Sequence, residues 1–189
     1  AENGKLELED WSNYNMSARF KAGAMGLTFL PVRGPLGSDI LQKCRAKVIE
    51  CPFTQTPIVL VPASYPNVAV IHVQSADKYG NCIIRGTEAT CPEMAMAAAH
   101  TIVTCEQIVP HEIIRRNPDA VTIPFFAVDA VVQVPYGAYP TSCGMYYYFN
   151  KEHIATFHAL AKHLGKEDFK PLKAYYDEYI LAAHNVGDF

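Results

Sequence analysis

No run of apolar residues in this 189-residue chain approaches the roughly 20 needed to cross a bilayer. The opening stretch, Ala1 to Asp10, is polar and acidic and lacks the charged and apolar regions of a secretory signal. A soluble, cytoplasmic protein is expected. Basic clusters are missing as well. The chain has 16 Lys and Arg against 19 Asp and Glu, scattered along its length for a formal charge of −3. That leaves no stripe able to neutralise a row of phosphates, so no nucleic-acid partner is expected. There is no C-x-x-C pair among the 6 cysteines, and a chain this size has no need of disulfide staples, so free thiols are predicted. Internal repeats, low-complexity tracts and Gly/Ser-rich linkers are also absent.

What is present is a composition that is 50% apolar, enough for one substantial core and too little chain for two. A single domain over residues 1–189 is the expectation. Ser17 to Met25 is Ala-rich and reads as a helix ended by Gly26. Leu27 to Val32 reads as a short strand, and Arg33-Gly34-Pro35-Leu36-Gly37-Ser38-Asp39 as a loop at its end. Ile58 to Val61 and Val68 to Val73 are continuous aliphatic runs, the mark of parallel strands covered on both faces. Between strand and loop, Cys51 to Pro57 reads as an exposed connection. Cys82 to Arg85, Thr101 to Cys105 and Val128 to Val134 are further strands, and Pro92 to His100 is a helix with proline in its first turn. From Lys151, apolar Ile154, Phe157, Leu160, Ala161 and Leu164 recur at helical spacing. The order predicts an α/β fold, an open and mainly parallel sheet flanked by helices.

Several segments together resemble the alpha subunits of family I coenzyme A transferases of the glutaconate CoA-transferase type. They are Lys5-Leu6-Glu7-Leu8-Glu9-Asp10, Ala22 to Pro31, Ile71 to Asp77, Tyr79-Gly80-Asn81, Thr101 to Val109, Ile114-Arg115-Arg116, Val128 to Val132 and Pro135 to Ser142, in the family's order. Alpha subunits of this family usually begin with a further portion carrying a glycine-rich segment that helps bind coenzyme A, and they continue past Ile180. The resemblance therefore implies part of a longer or split subunit. It implies coenzyme A, as an acyl-CoA substrate, with no metal. It also implies a hetero-oligomer in which a beta subunit supplies a nucleophilic glutamate that carries CoA as a glutamyl thioester. The chain would move CoA between a short or dicarboxylic acyl-CoA and a carboxylic acid. Hydrolase and decarboxylase relatives on the same fold, and a noncatalytic ligand-binding domain, are the competing readings.

Residue by residue, the same resemblance places Asn13 where relatives carry a glutamine facing the thioester carbonyl, so its amide is a candidate oxyanion donor. The competing role for Ser12-Asn13 is capping the helix that follows. Arg33, Gly34, Gly37 and Ser38 are candidates for substrate binding: the glycines admit close backbone approach, and the guanidinium suits a carboxylate. A plain turn, with Ser38 or Asp39 as a helix cap, is the alternative. Gln74, Tyr136 and Gly137 follow strands and are placed beside the cleft, whereas Asp77 and Asn81 suit a turn. Glu2-Asn3-Gly4 imitates the beta-subunit nucleophile motif, but the alpha-type residues after it argue against that role. His153, His158 and His163 fall five apart, about 140° around a helix from one to the next, and cannot converge on a metal. Cys105 and Cys143 have no basic neighbour in sequence to activate them.

Overall fold

The computed structural model describes residues 7–162 and 170–181. The expectations at Glu2-Asn3-Gly4, Lys5, Leu6, His163 and Leu164 lie outside the described residues. Helix α1 (Asn13–Ala24) starts four residues earlier than the alanine pattern suggests. The reason is local: the Ser12 hydroxyl accepts the Asn15 N–H at 3.2 Å, which makes Ser12 the cap and Asn13 the first helical residue. Gly26, at φ 69°, ends the helix as expected. Its N–H reaches the Gly23 carbonyl and that of Leu27 reaches Ala22, both at 2.9 Å, the paired closure that needs a left-handed residue.

Two sheets follow. In the first, β1 (Phe29–Val32), β2 (Lys47–Glu50) and β3 (Pro57–Pro62) are antiparallel, in the order β1-β3-β2. The run Ile58 to Val61 is therefore not a strand of the parallel sheet. Only Val59 and Val61 are fully buried, against Ala18 of α1 and Val32. Strand β2 is exposed along its whole length, so no burial pattern marked it in the sequence. The Cys51 to Thr56 connection is the hairpin between β2 and β3, closed by the Cys51 N–H on the Thr56 carbonyl at 2.9 Å. Arg19 pins α1 to this sheet: its Nε donates to the Pro62 carbonyl at 3.1 Å and its guanidinium lies 4.4 Å from the centre of the Trp11 ring.

The second sheet has the order β5-β4-β6-β7, with β4 (Val68–Ala76), β5 (Cys82–Ile83), β6 (His100–Ile108) and β7 (Ala130–Gln133). β4, β6 and β7 are parallel and β5 is an antiparallel edge, as the fold class anticipates. Helix α2 (Cys91–Ala97) carries the chain from β4 towards β6, and a short helix α3 (His111–Arg115) opens the way to β7. One face of this sheet is packed: Ala69, Ile71, Val73, Val103 and Cys105 meet Ala95 of α2 and Ile123 of the β6–β7 connection. Past β7 the chain loops over the other face before helices α4 (Lys151–Lys162) and α5 (Lys170–Tyr176). No helix among the described residues is long and apolar enough to cross a membrane.

Candidate functional site

Strand alternation sends Val68, Val70, His72 and Gln74 of β4, and Ile102, Thr104 and Glu106 of β6, to the face of the sheet away from α2. Polar groups gather at the C-terminal end of that face, where ligands of parallel sheets commonly lie. His72 stands opposite Thr104 in register, with its Nδ1 2.9 Å from the Thr104 hydroxyl and its Nε2 2.8 Å from Glu106 Oε1. The Tyr147 hydroxyl donates to the same Oε1 at 2.7 Å, and the Tyr136 N–H to Oε2 at 2.8 Å. The loop after β7 is thus tied to a carboxylate on β6.

The loop itself is tightly built. Tyr136 sits at φ 60°, a left-handed position uncommon for a side-chain-bearing residue, and its ring stacks on Tyr147 at 5.0 Å. The Ala138 N–H donates to the Tyr147 oxygen at 3.0 Å. Gly137 lies on His72: a Cβ there would come within 2.8 Å of the imidazole Cε1, so no larger residue fits without movement.

Charge follows from these contacts. Burial pushes the Glu106 carboxyl up, but the bonds from Tyr147, Tyr136 and His72 outweigh it and hold the group below the usual carboxylate range. Burial, and then the Glu106 carboxylate, push the Tyr147 hydroxyl well above its ordinary value. Burial and Glu106 likewise raise the Cys143 thiol, which leaves it poorly suited to nucleophilic work. Ligand atoms of His72, Glu106 and Cys143 lie within 4.8 Å of one another, a trio the sequence spacing did not suggest. A cation there would have to displace hydrogen bonds that already occupy both carboxylate oxygens and both imidazole nitrogens.

The residues singled out from the sequence fall into two groups. Gln74, Tyr136 and Gly137 join the Glu106 cluster. The Gln74 amide acts there as a brace: Nε2 donates to the carbonyls of Arg85 and Gly144 at 3.1 and 3.2 Å, and Oε1 accepts the Arg85 N–H at 3.1 Å. Asn13, Arg33, Gly34, Gly37 and Ser38 lie at the start of α1 and in the loop after β1. Asn13 and Arg33 are exposed. Arg33 donates to the Thr56 hydroxyl at 3.2 Å, and Ser38 caps a short turn of 3-10 helix (Asp39–Gln42) through the Ile40 N–H. A Cβ on Gly34 would meet Tyr14 at 3.2 Å and the Asn15 Oδ1 at 3.4 Å. That Asn15 oxygen is buried and has no hydrogen-bond partner among the described residues.

Asp77 and Asn81 take the turn role expected of them. Asp77 is fully buried and accepts the N–H groups of Tyr79 and Asn81, the Asn81 amide and, at 2.7 Å, His111.

Sequence reasoning missed His72, Glu106 and Tyr147. A signal was there for two of them. His72 and Glu106 are ionisable residues inside otherwise apolar strands, both on the face that alternation separates from the packed core.

A profile of the coenzyme A transferase family matches residues 1–134. The chain belongs to this family. It is 36% identical to one of the subunits of glutaconate CoA-transferase from Acidaminococcus fermentans, over 89% of its own length and 57% of that protein. The crystal structure of glutaconate coenzyme A-transferase from the same organism matches with a TM-score of 0.85 at 32% identity, over 97% of this chain and 62% of that one. The decarboxylase AibA/AibB matches with a TM-score of 0.74 at 30% identity, over 93% and 64%. The chain therefore spans less than two thirds of the length of each of these family relatives.

Proposed function

We propose that this chain is the cleft-forming part of a CoA-transferase alpha subunit, moving coenzyme A from a short or dicarboxylic acyl-CoA to a carboxylic acid. The match in fold to glutaconate coenzyme A-transferase, at a TM-score of 0.85 over 97% of the chain, is the observation that carries the reading. In such a reaction a glutamate carboxylate attacks the thioester carbonyl and expels CoA thiolate. The thiolate attacks the glutamyl carbonyl of the resulting anhydride, the first carboxylate leaves, and the acceptor carboxylate then takes the acyl position by the reverse steps.

The nucleophile must be an accessible carboxylate. Glu106 is 4% exposed and both its oxygens already accept hydrogen bonds, which disqualifies it. That favours a nucleophile on a partner beta subunit, with this chain in the supporting role. Asn13 at the start of α1 would donate its amide to the oxyanion. Arg33, with Gly34, Gly37 and Ser38, would hold the carboxylate end of the substrate. Tyr136 and Gly137 would form the opposite wall, held by Glu106, His72 and the Gln74 brace.

The test is to purify the chain with its native partner and supply glutaconyl-CoA with acetate, following acetyl-CoA and free thiol together. Acetyl-CoA without thiol release is the expected result, with borohydride-reducible glutamyl thioester on the partner chain. Thiol release alone would favour a hydrolase, and loss of carbon dioxide from the acyl group a decarboxylase, the activity of one structural relative. Binding without turnover would overturn the enzyme assignment.

A further inference from the structure

The loop from Tyr136 to Phe149 contains no Asp, Glu, Lys, Arg or His. It does carry large apolar side chains in the open: Tyr136, Tyr146 and Phe149 are exposed, Met145 is 80% exposed and Tyr148 91%. A gathering of this kind on one loop marks a surface that meets another molecule.

The backbone is arranged to hold it. The Cys143 N–H donates to the Tyr147 carbonyl at 3.2 Å and the Tyr147 N–H to the Cys143 carbonyl at 3.1 Å, which closes a tight turn around Met145. Met145 sits at φ 72°, where glycine is at ease and a long side chain is not, although its neighbour at 144 is a glycine. Both sides of the turn are tied down, the Gly144 carbonyl by Gln74 and the Tyr147 hydroxyl by Glu106. A side chain kept in a disfavoured conformation by such anchors is characteristic of a ligand site.

The turn encloses a cavity of about 240 Å³ lined by Ser142, Gly144, Met145, Tyr146, Tyr147 and Tyr148. We propose that this cavity receives an uncharged ring, so that the acid handled by the site carries an aryl group. The lining sets the class. Its polar side-chain groups are hydroxyls, that of Tyr147 already engaged by Glu106, and the loop offers no cation to a carboxylate. Tyrosine faces and a thioether favour an aromatic partner over an alkyl chain. The loop already stacks Tyr136 on Tyr147, with ring centres 5.0 Å apart and planes 27° apart. Apolar cavities of about 150 Å³ hold a benzene ring, so this one admits a ring with the carbon that joins it to a carboxyl group. Binding of the ring rests on the cavity alone, whereas its place in the reacting acid rests on the transferase reading.

The experiment uses the chain purified with its native partner, glutaconyl-CoA as donor, and phenylacetate or acetate as acceptor. kcat/KM for phenylacetate should exceed that for acetate about fivefold, and Tyr148→Ala and Met145→Gly should each lower this ratio. Both side chains are exposed, so the fold should survive their loss, and Phe53→Ala on the exposed β2–β3 hairpin should leave the ratio unchanged. Saturation-transfer NMR on phenylacetate needs no turnover: the parent should label the ring protons, and Tyr148→Ala should do so far less. Acetate turnover without ring labelling would overturn the proposal and leave the transferase reading standing. Ring labelling that depends on Tyr148, with neither acid turned over, would do the reverse. An unchanged ratio in both loop variants, or displacement of phenylacetate by adenosine, would also overturn the proposal, the latter by showing that the loop takes the base of the coenzyme.

Discussion

The Tyr147 hydroxyl donates to Glu106 at 2.7 Å while accepting the Ala138 N–H at 3.0 Å, so one phenol joins a buried strand carboxylate to the backbone of the loop above it. Tyr147→Phe removes both bonds and leaves the carboxylate one donor short. A loss of about 1–3 kcal/mol in unfolding free energy is expected, read by urea titration.

Glu106 also gives stability a pH dependence of known sign. Its carboxyl is held below the usual range in the fold, so its contribution is complete above the unfolded value of about 4.3 and is lost as the pH falls through the folded value. Unfolding midpoints measured from neutral to acid pH should fall less steeply for Glu106→Gln than for the parent. An unchanged slope would mean that the carboxylate is not held as described.

Asp77→Ala strips four donors of their acceptor at once, including the backbone N–H groups of Tyr79 and Asn81 and the imidazole of His111. A destabilisation of about 3 kcal/mol or more is expected, by thermal or denaturant unfolding.

Two glycines of the same loop should behave differently. Gly137→Ala drives a methyl group against the His72 ring and should cost about 1–3 kcal/mol. Gly144→Ala meets nothing nearer than the Arg85 carbonyl at 3.6 Å and should stay within about 0.5 kcal/mol of the parent. Paired melting curves distinguish a loop packed on His72 from one merely passing it.

The thiols separate by the same logic. Hydrogen bonds from Thr54 and Phe53 pull the Cys51 thiol down, whereas burial pushes Cys82 up to about 12. Iodoacetamide at mildly alkaline pH should modify Cys51 well before Cys82, with peptide mapping as the readout.

The strands of the parallel sheet were legible through their aliphatic runs, as in Val68 to Val73, although among the described residues only the Ala69, Ile71 and Val73 face of that run is packed. The same rule misassigned Ile58 to Val61, since a strand that is central in a small antiparallel sheet and backed by a helix shows the same run. β2 was invisible because no described residue buries Lys47 to Glu50, which leaves no burial pattern to read. In the site, Tyr136 and Gly137 could be reached through a motif and Glu106 through its place in an apolar strand, but the bond between Glu106 and Tyr147 could not. Their partnership spans 41 positions and depends on a loop folding back over a strand, a relation that no local pattern carries.

Gly23 has one further consequence. A Cβ there would collide with the Ser64 carbonyl and approach the Ala97 methyl to 2.9 Å, so α1 sits as near to the chain leaving β3 and to α2 as backbone allows. The antiparallel sheet behind α1 and the parallel sheet behind α2 are thereby clamped like two halves of a vice with no slack in the screw. The Arg33 loop follows a strand of one half and the Tyr136 loop a strand of the other, so this helix contact fixes how the two supports meet. Enlarging residue 23 would shift one support against the other without altering a single residue in either loop.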